Sequence, residues 1–277
     1  MKFESTARIS METLNDIIAE NRIFEITIQD PENYPVAKTY DVFKMLAIKR
    51  AIKEFLKGCP ERNSNDPNTE KQIFSYIYTK LAYFAEYDDV ARDVNRADPM
   101  MKGSLETEYL ESSSGLEGVF VGRRALCSGF AEALRNLLAE KGIQSKYITG
   151  WANNYNGSGK KVGHAWNQVK LDGEWFNCDI TCDRSFIIQD LVAPKFLKSG
   201  VDFSNYYKYP EGSLDRIEKT PKSISNETQR VLIHNYRSRV IDELYPKEDD
   251  NKSKKKGFIK TIFSKLKSNR GSERGDY

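Results

Sequence analysis

Cys127, His164 and Asp179 are three side chains whose types and order could carry nucleophilic chemistry. Cys127 stands in RRALCSGFAEALRNLLAEKG, at the mouth of an apolar-periodic helix and next to the small residues Ser128 and Gly129. A thiol at that position lies among unpaired backbone N–H groups at the positive end of the helix dipole, which favour the thiolate. The sulfur then needs a base, and the chain has only two histidines. His164 lies 37 residues on in VGHAWNQV, and Asp179 a further 15 on in WFNCDITCD. Pairing of these two segments through the Asp172-Gly173 turn would make His164 and Asp179 cross-strand neighbours. In that arrangement Cys127 attacks a carbonyl, His164 takes and returns protons, and Asp179 orients the imidazole and stabilises its cation. The Cys127 N–H is one oxyanion donor, and Tyr83 or Tyr87 are candidates for a second.

The remaining thiols and imidazole point elsewhere. Cys59 reads as a small hydrophobe. His234 sits beside Tyr236, Arg237 and Arg239 and reads as a solvated or capping residue. Cys178 and Cys182, with Cys127 and His164, total four zinc-type ligands, but their spacing fits no common zinc arrangement. An extended strand would also hold Cys178 and Cys182 too far apart for a disulfide. The expectation is a site with no metal and no cofactor.

The elements that must position the three residues follow from periodicity. Residues 9–22 show helical spacing, FEITIQ alternates like a strand, and a helix is predicted from about Lys38 to Lys57, ended by Gly58-Cys59-Pro60. EKQIFSYIYTKLAYFAEY is an aromatic helix. Residues 88–122 are polar and read as a long loop with one helical turn near Leu105–Leu110. After the Cys127 helix, with Gly142 as its C-cap, come three strands: IQSKYITGWA, VGHAWNQVKL and a third ending in WFNCDI. Residues 223–245 read as a final amphipathic helix.

The stretch LCSGFAEALRNLLAEKGIQSKYITGWA followed by GHAWNQVKLDGEWFNCDITCD resembles the transglutaminase-like superfamily, a branch of the papain-like fold, over about residues 123–183. The resemblance places Cys127, His164 and Asp179 on the family's three catalytic positions in its chain order. It places Trp166 and Trp175 on two aromatic positions, which with Tyr83 are candidate substrate-binding or site-supporting residues. Cys178 and Cys182 depart from the family pattern, which commonly has an aromatic at the latter. The implied fold class is α+β: a nucleophile helix packed on an antiparallel sheet, with an N-terminal helical extension. The expected organisation is an extension at 1–68, a catalytic core at 69–222, a packing helix at 223–246 and a basic tail at 247–277.

Composition agrees with a folded chain: 277 residues, 39% hydrophobic and 12% aromatic. The net charge of +3 is uneven, because residues 252–277 hold nine Lys or Arg against two acids and so leave the rest at −4. That acidic body offers no platform for specific nucleic-acid binding. In the tail, FIKTIFSKLKS places Phe258, Ile259, Ile262, Phe263 and Leu266 on one helical face amid lysines, the pattern of a weak contact with anionic membrane or a partner. No apolar signal segment or membrane-length run is present, which suggests a cytoplasmic protein or one exported without a cleaved signal. The resemblance implies acyl transfer from a peptide or glutamine-type carboxamide through a Cys127 thioester, with hydrolysis favoured over protein cross-linking. The alternative is a non-catalytic interaction module that keeps the fold and recruits a protein partner.

Overall fold

The computed structural model describes residues 3–5, 25–30, 34–63, 65–96, 103–153, 161–204, 207–209 and 217–246, with backbone alone up to residue 43. The predicted helix at 9–22 and the basic tail lie outside these residues. At the N-terminus, β1 (Phe3–Ser5) pairs in parallel with β2 (Glu25–Asp30), which pairs antiparallel with β3 (Tyr34–Asp41). Helix α1 (Val42–Phe55) follows directly. The helix predicted from Lys38 therefore starts at Val42, because Thr39, Tyr40 and Asp41 are taken into the ladder opposite Thr27, Ile26 and Glu25. A pairing partner supplied from ten or more residues away is invisible to local periodicity.

Helix α2 (Thr69–Phe84) is the hub of the core. Every residue from Ile73 to Ala82 is buried, as in a helix surrounded by other elements, and Ile73, Phe74, Tyr76, Ile77, Tyr78 and Leu81 are fully so. After β4 (Glu86–Tyr87), residues 88–122 form α3 (Asp89–Arg96), α4 (Ser104–Ser113) and a π-helical turn at Gly118–Gly122. The long loop expected there is thus mostly helical. Its helices are short and polar and carry too little hydrophobic period to be recognised.

Strand β5 (Arg124–Ala125) leads into α5 (Cys127–Glu140), whose apolar face carries Phe130, Leu134, Leu137 and Leu138. Gly142 has φ of 71°, and the Ile143 N–H reaches back to the Leu138 carbonyl at 2.9 Å, closing the helix as the sequence suggests. Next come β6 (Ser145–Asn153), β7 (Lys161–Leu171) and β8 (Glu174–Cys178). They are followed by α6 (Ile180–Ile188), α7 (Gly200–Ser204), β9 (Tyr207–Lys208) and α8 (Asn226–Leu244). The sheet order is β8-β7-β6-β9, all antiparallel. Its one face is covered by α5 through Val169, Leu171 and Phe176, and the other carries an aromatic cluster of Trp166, Phe203 and Tyr207. This is the α+β arrangement expected, a helix packed on an antiparallel sheet.

Two polar ties set the register of these layers. Asn167, fully buried on β7, donates its amide to the Ala131 carbonyl of α5 at 2.9 Å. The Asp172-Gly173 turn is held to the start of α2, since Lys71 Nζ lies 2.6 Å from Asp172 Oδ2 and the Asp172 N–H donates to Glu70 at 2.6 Å. At the far end, buried Lys80 on α2 pairs with Glu243 of α8 at 2.7 Å, which locks the last helix onto the core.

Candidate active site

Cys127 is the first residue of α5, and the extended residue before it, Leu126, is tied by its N–H to the Ser113 carbonyl at 2.8 Å. The approach to it is braced by Asp88, which sequence reasoning overlooked. Its buried carboxylate accepts from Ser113 Oγ (2.8 Å), Tyr109 Oη (2.7 Å) and the Ala91 N–H (2.9 Å). The Asp88 N–H donates in turn to the Ala125 carbonyl at 3.0 Å. Burial opposes the charge, but these donors outweigh it and hold the carboxyl below its ordinary range.

His164 lies near the start of β7, opposite Gly150 of β6. Asp179 is the residue after β8, where its carboxylate caps α6 by accepting from the Cys182 N–H at 3.2 Å. The ladder pairs Asn167 with Cys178, so His164 and Asp179 fall just beyond the last rung. Their side chains meet: His164 Nε2 is 2.7 Å from Asp179 Oδ2. Nε2 being so engaged, the other ring nitrogen is the one left to serve Cys127, whose side chain acts on the same ring. Burial works against an imidazolium, yet the Asp179 carboxylate and the Cys127 thiol prevail and push His164 up to about 10. Asp179, almost wholly buried, is held below its usual range despite burial, by His164 and by a second donor.

That donor is Tyr207, whose hydroxyl donates to Asp179 Oδ2 at 2.5 Å. Its ring stacks on Phe203 (4.1 Å between centroids) and lies 5.0 Å from Trp166 and 5.7 Å from His164. The local signal for it was thin: one tyrosine of several in SNYYKYP, on a two-residue strand placed only by its pairing with Ala152.

The other expected residues are distributed as follows. Trp166 is buried beside the triad, stacked on His164 at 6.3 Å. It fits against β6 because residue 150 is glycine: a Cβ there would come within 2.7 Å of the indole. Trp175 stands opposite Lys170, further along the hairpin, with Lys146 Nζ 5.5 Å above its ring, and supports the sheet rather than the triad. Tyr83 is corrected as an oxyanion donor. Its hydroxyl accepts from Arg237 Nε at 2.9 Å and faces the Ile187 and Ile188 carbonyls. Tyr87 pairs with Ala125, two residues before Cys127, and is pushed up to about 12 by burial and then by Cys127. Cys182 lies on α6 and not on a strand with Cys178, so the two do not share a strand face. All four cysteines are free thiols. Burial pushes Cys59 up to about 11 and Cys178 well above its ordinary value. His234 is an exposed residue of α8.

A half-buried thiol at a helix start and an imidazole bonded to a buried carboxylate are the kinds of group that nucleophilic cysteine chemistry uses. Residues 55–180 match the model of the transglutaminase-like superfamily; the match reaches further toward the N-terminus than the motif-bearing stretch. Among solved structures, one described as a TGase is 19% identical, covering 50% of this chain and 32% of that one with a TM-score of 0.35. Another, a candidate cysteine protease from Cytophaga hutchinsonii, is 20% identical, covering 50% of this chain and 37% of that one with a TM-score of 0.29. The chain spans about a third of the length of either. No curated protein matches it. Among the described residues no helix is long and apolar enough to cross a membrane.

Proposed function

We propose that this protein is a cysteine-dependent acyl-transfer enzyme acting on a protein or peptide substrate. The single observation that carries the reading is the 2.7 Å contact of His164 with the buried Asp179 carboxylate, with Cys127 at the start of α5 acting electrostatically on the same ring. In the first half-reaction the Cys127 sulfur bonds to a peptide or glutamine-type carbonyl carbon, the C–N bond breaks, and the imidazolium gives its proton to the departing amine. The developing oxyanion meets the Cys127 N–H at the start of α5, with the Tyr87 hydroxyl as the second donor. In the second half-reaction His164 takes a proton from water, which attacks the thioester and restores the thiolate. Water is the favoured acceptor because Cys127 is only half-buried, whereas amine transfer demands that water be kept out.

The test compares Cys127→Ala with Cys59→Ala on a library of peptide amides and glutamine peptides, scored by released amine or ammonia. Turnover should fall by about a thousandfold or more in the first and stay near wild type in the second. Equal turnover in both contradicts the reading.

A further inference from the structure

An open pocket of about 400 Å³ lies beside the β4–β5 ribbon, lined by Arg123, Arg124 and Arg184 together with Phe84, Glu86 and Tyr245. Three guanidiniums face it, and Glu86 is the single carboxylate among its described lining residues. Their donors are largely unspent. Arg184 gives Nε to the Ala85 carbonyl at 2.7 Å, and no described residue accepts from its two terminal nitrogens. Arg123 lies flat over the Phe84 ring, 3.3 Å from its centroid, and makes one long bond of 3.4 Å to the Phe84 carbonyl. Arg124 makes one contact, at 3.3 Å, with Glu86. Arg123 is held in the left-handed region, φ 58°, a conformation uncommon outside glycine that turns the chain from the Gly118–Gly122 turn into β5. Guanidinium forks bind carboxylate and phosphate oxygens in pairs, and Arg184, partly buried, does so with less competition from water than the exposed Arg123 and Arg124.

Arg124 ties this pocket to Cys127 along the chain. Arg124 and Ala125 are extended strand and Leu126 is extended too, so Arg124 stands about 10 Å before Cys127 along the backbone. A bound peptide of extended shape covers that span in about three residues.

We infer that the Arg123–Arg124–Arg184 pocket is a substrate subsite for an anionic side chain, a carboxylate or a phosphorylated residue, about three positions from the carboxamide that Cys127 attacks. This rests on the reading of Cys127 as the nucleophile, but its test does not need turnover. Full-length Cys127→Ala protein is titrated calorimetrically with a glutamine peptide carrying two aspartates three residues to either side, and with its asparagine twin. A phosphoserine version and inorganic phosphate form further arms, which separate a preference for carboxylate from one for phosphate. The acidic peptide should bind about tenfold tighter than the twin, and Arg124→Gln should remove about fivefold of that. Glu86→Gln takes away the opposing carboxylate and should tighten acidic binding severalfold, a gain that misfolding cannot imitate. Equal affinity for the acidic and neutral peptides, binding of neither, or an unchanged affinity in Glu86→Gln overturns the subsite. The assignment of Cys127 is judged separately, by its reactivity.

Discussion

His164 Nε2 stands 2.7 Å from Asp179 Oδ2 at the open end of a hairpin whose Asp172-Gly173 turn begins eight residues after His164 and ends six before Asp179. The contact sits beyond the last rung of the ladder, so the carboxylate is free of strand pairing and also caps α6. One aspartate therefore fixes both the ring and the helix that follows.

Replacing that carboxylate should reshape the pH profile. In Asp179→Asn the attraction and hydrogen bond that raise His164 are lost while burial, which lowers it, remains. The imidazolium, retained up to about pH 10 in the native protein, should then be lost near or below neutrality. Activity should fall about 10⁴-fold, as for the equivalent change in other triads, with the alkaline limb moved down. The sign for stability follows: a folded-state pKa above the unfolded one stabilises fully below about pH 6.5 and fades as pH rises toward 10. Thermal melts across pH 6–10 should show this fade in the native protein and little of it in the variant.

Tyr207→Phe removes the hydroxyl that donates to the buried Asp179 carboxylate. Such a bond to a charged partner contributes about 1.5–3 kcal/mol. Denaturant titration should show a loss in that range, and turnover should drop about tenfold while substrate binding is unchanged. A variant as stable and as active as wild type would mean the Tyr207 contact does not hold Asp179.

Gly150→Ala tests how the aromatic layer seats His164. The added methyl, on the residue directly opposite His164, would meet the Lys208 carbonyl oxygen of β9 first and then the Trp166 ring at 2.7 Å. Overpacking of this kind costs about 1–3 kcal/mol. The melt should shift down accordingly, and the near-ultraviolet tryptophan signal should change with it.

The three candidate residues could be placed from the chain because each sits in a short motif whose local structure is self-contained: a helix start for Cys127, a strand for His164 and a strand end for Asp179. The Asp-Gly turn supplied the juxtaposition of the last two. What escaped depends on distant pairing. Tyr207 reaches Asp179 only because β9 adds to the edge of β6, and Asp88 matters only through α4 and β5. Tyr83 failed as an oxyanion donor for the same reason in reverse, since Arg237 on α8 claims its hydroxyl. The polar helices α3 and α4 lacked an apolar stripe, and residues 38–41 were drawn into a strand by β2.

The most direct measurement is the rate of iodoacetamide alkylation at each cysteine as a function of pH, read by peptide mass. Beside an imidazolium and a helix start, Cys127 should react readily at pH 5–6, where Cys59, pushed up to about 11, stays inert. His164→Ala should abolish that acidic reactivity. If Cys127 labels no faster than Cys59 at pH 6, or if His164→Ala leaves its profile unchanged, the sulfur is not paired with the ring and the catalytic account is wrong.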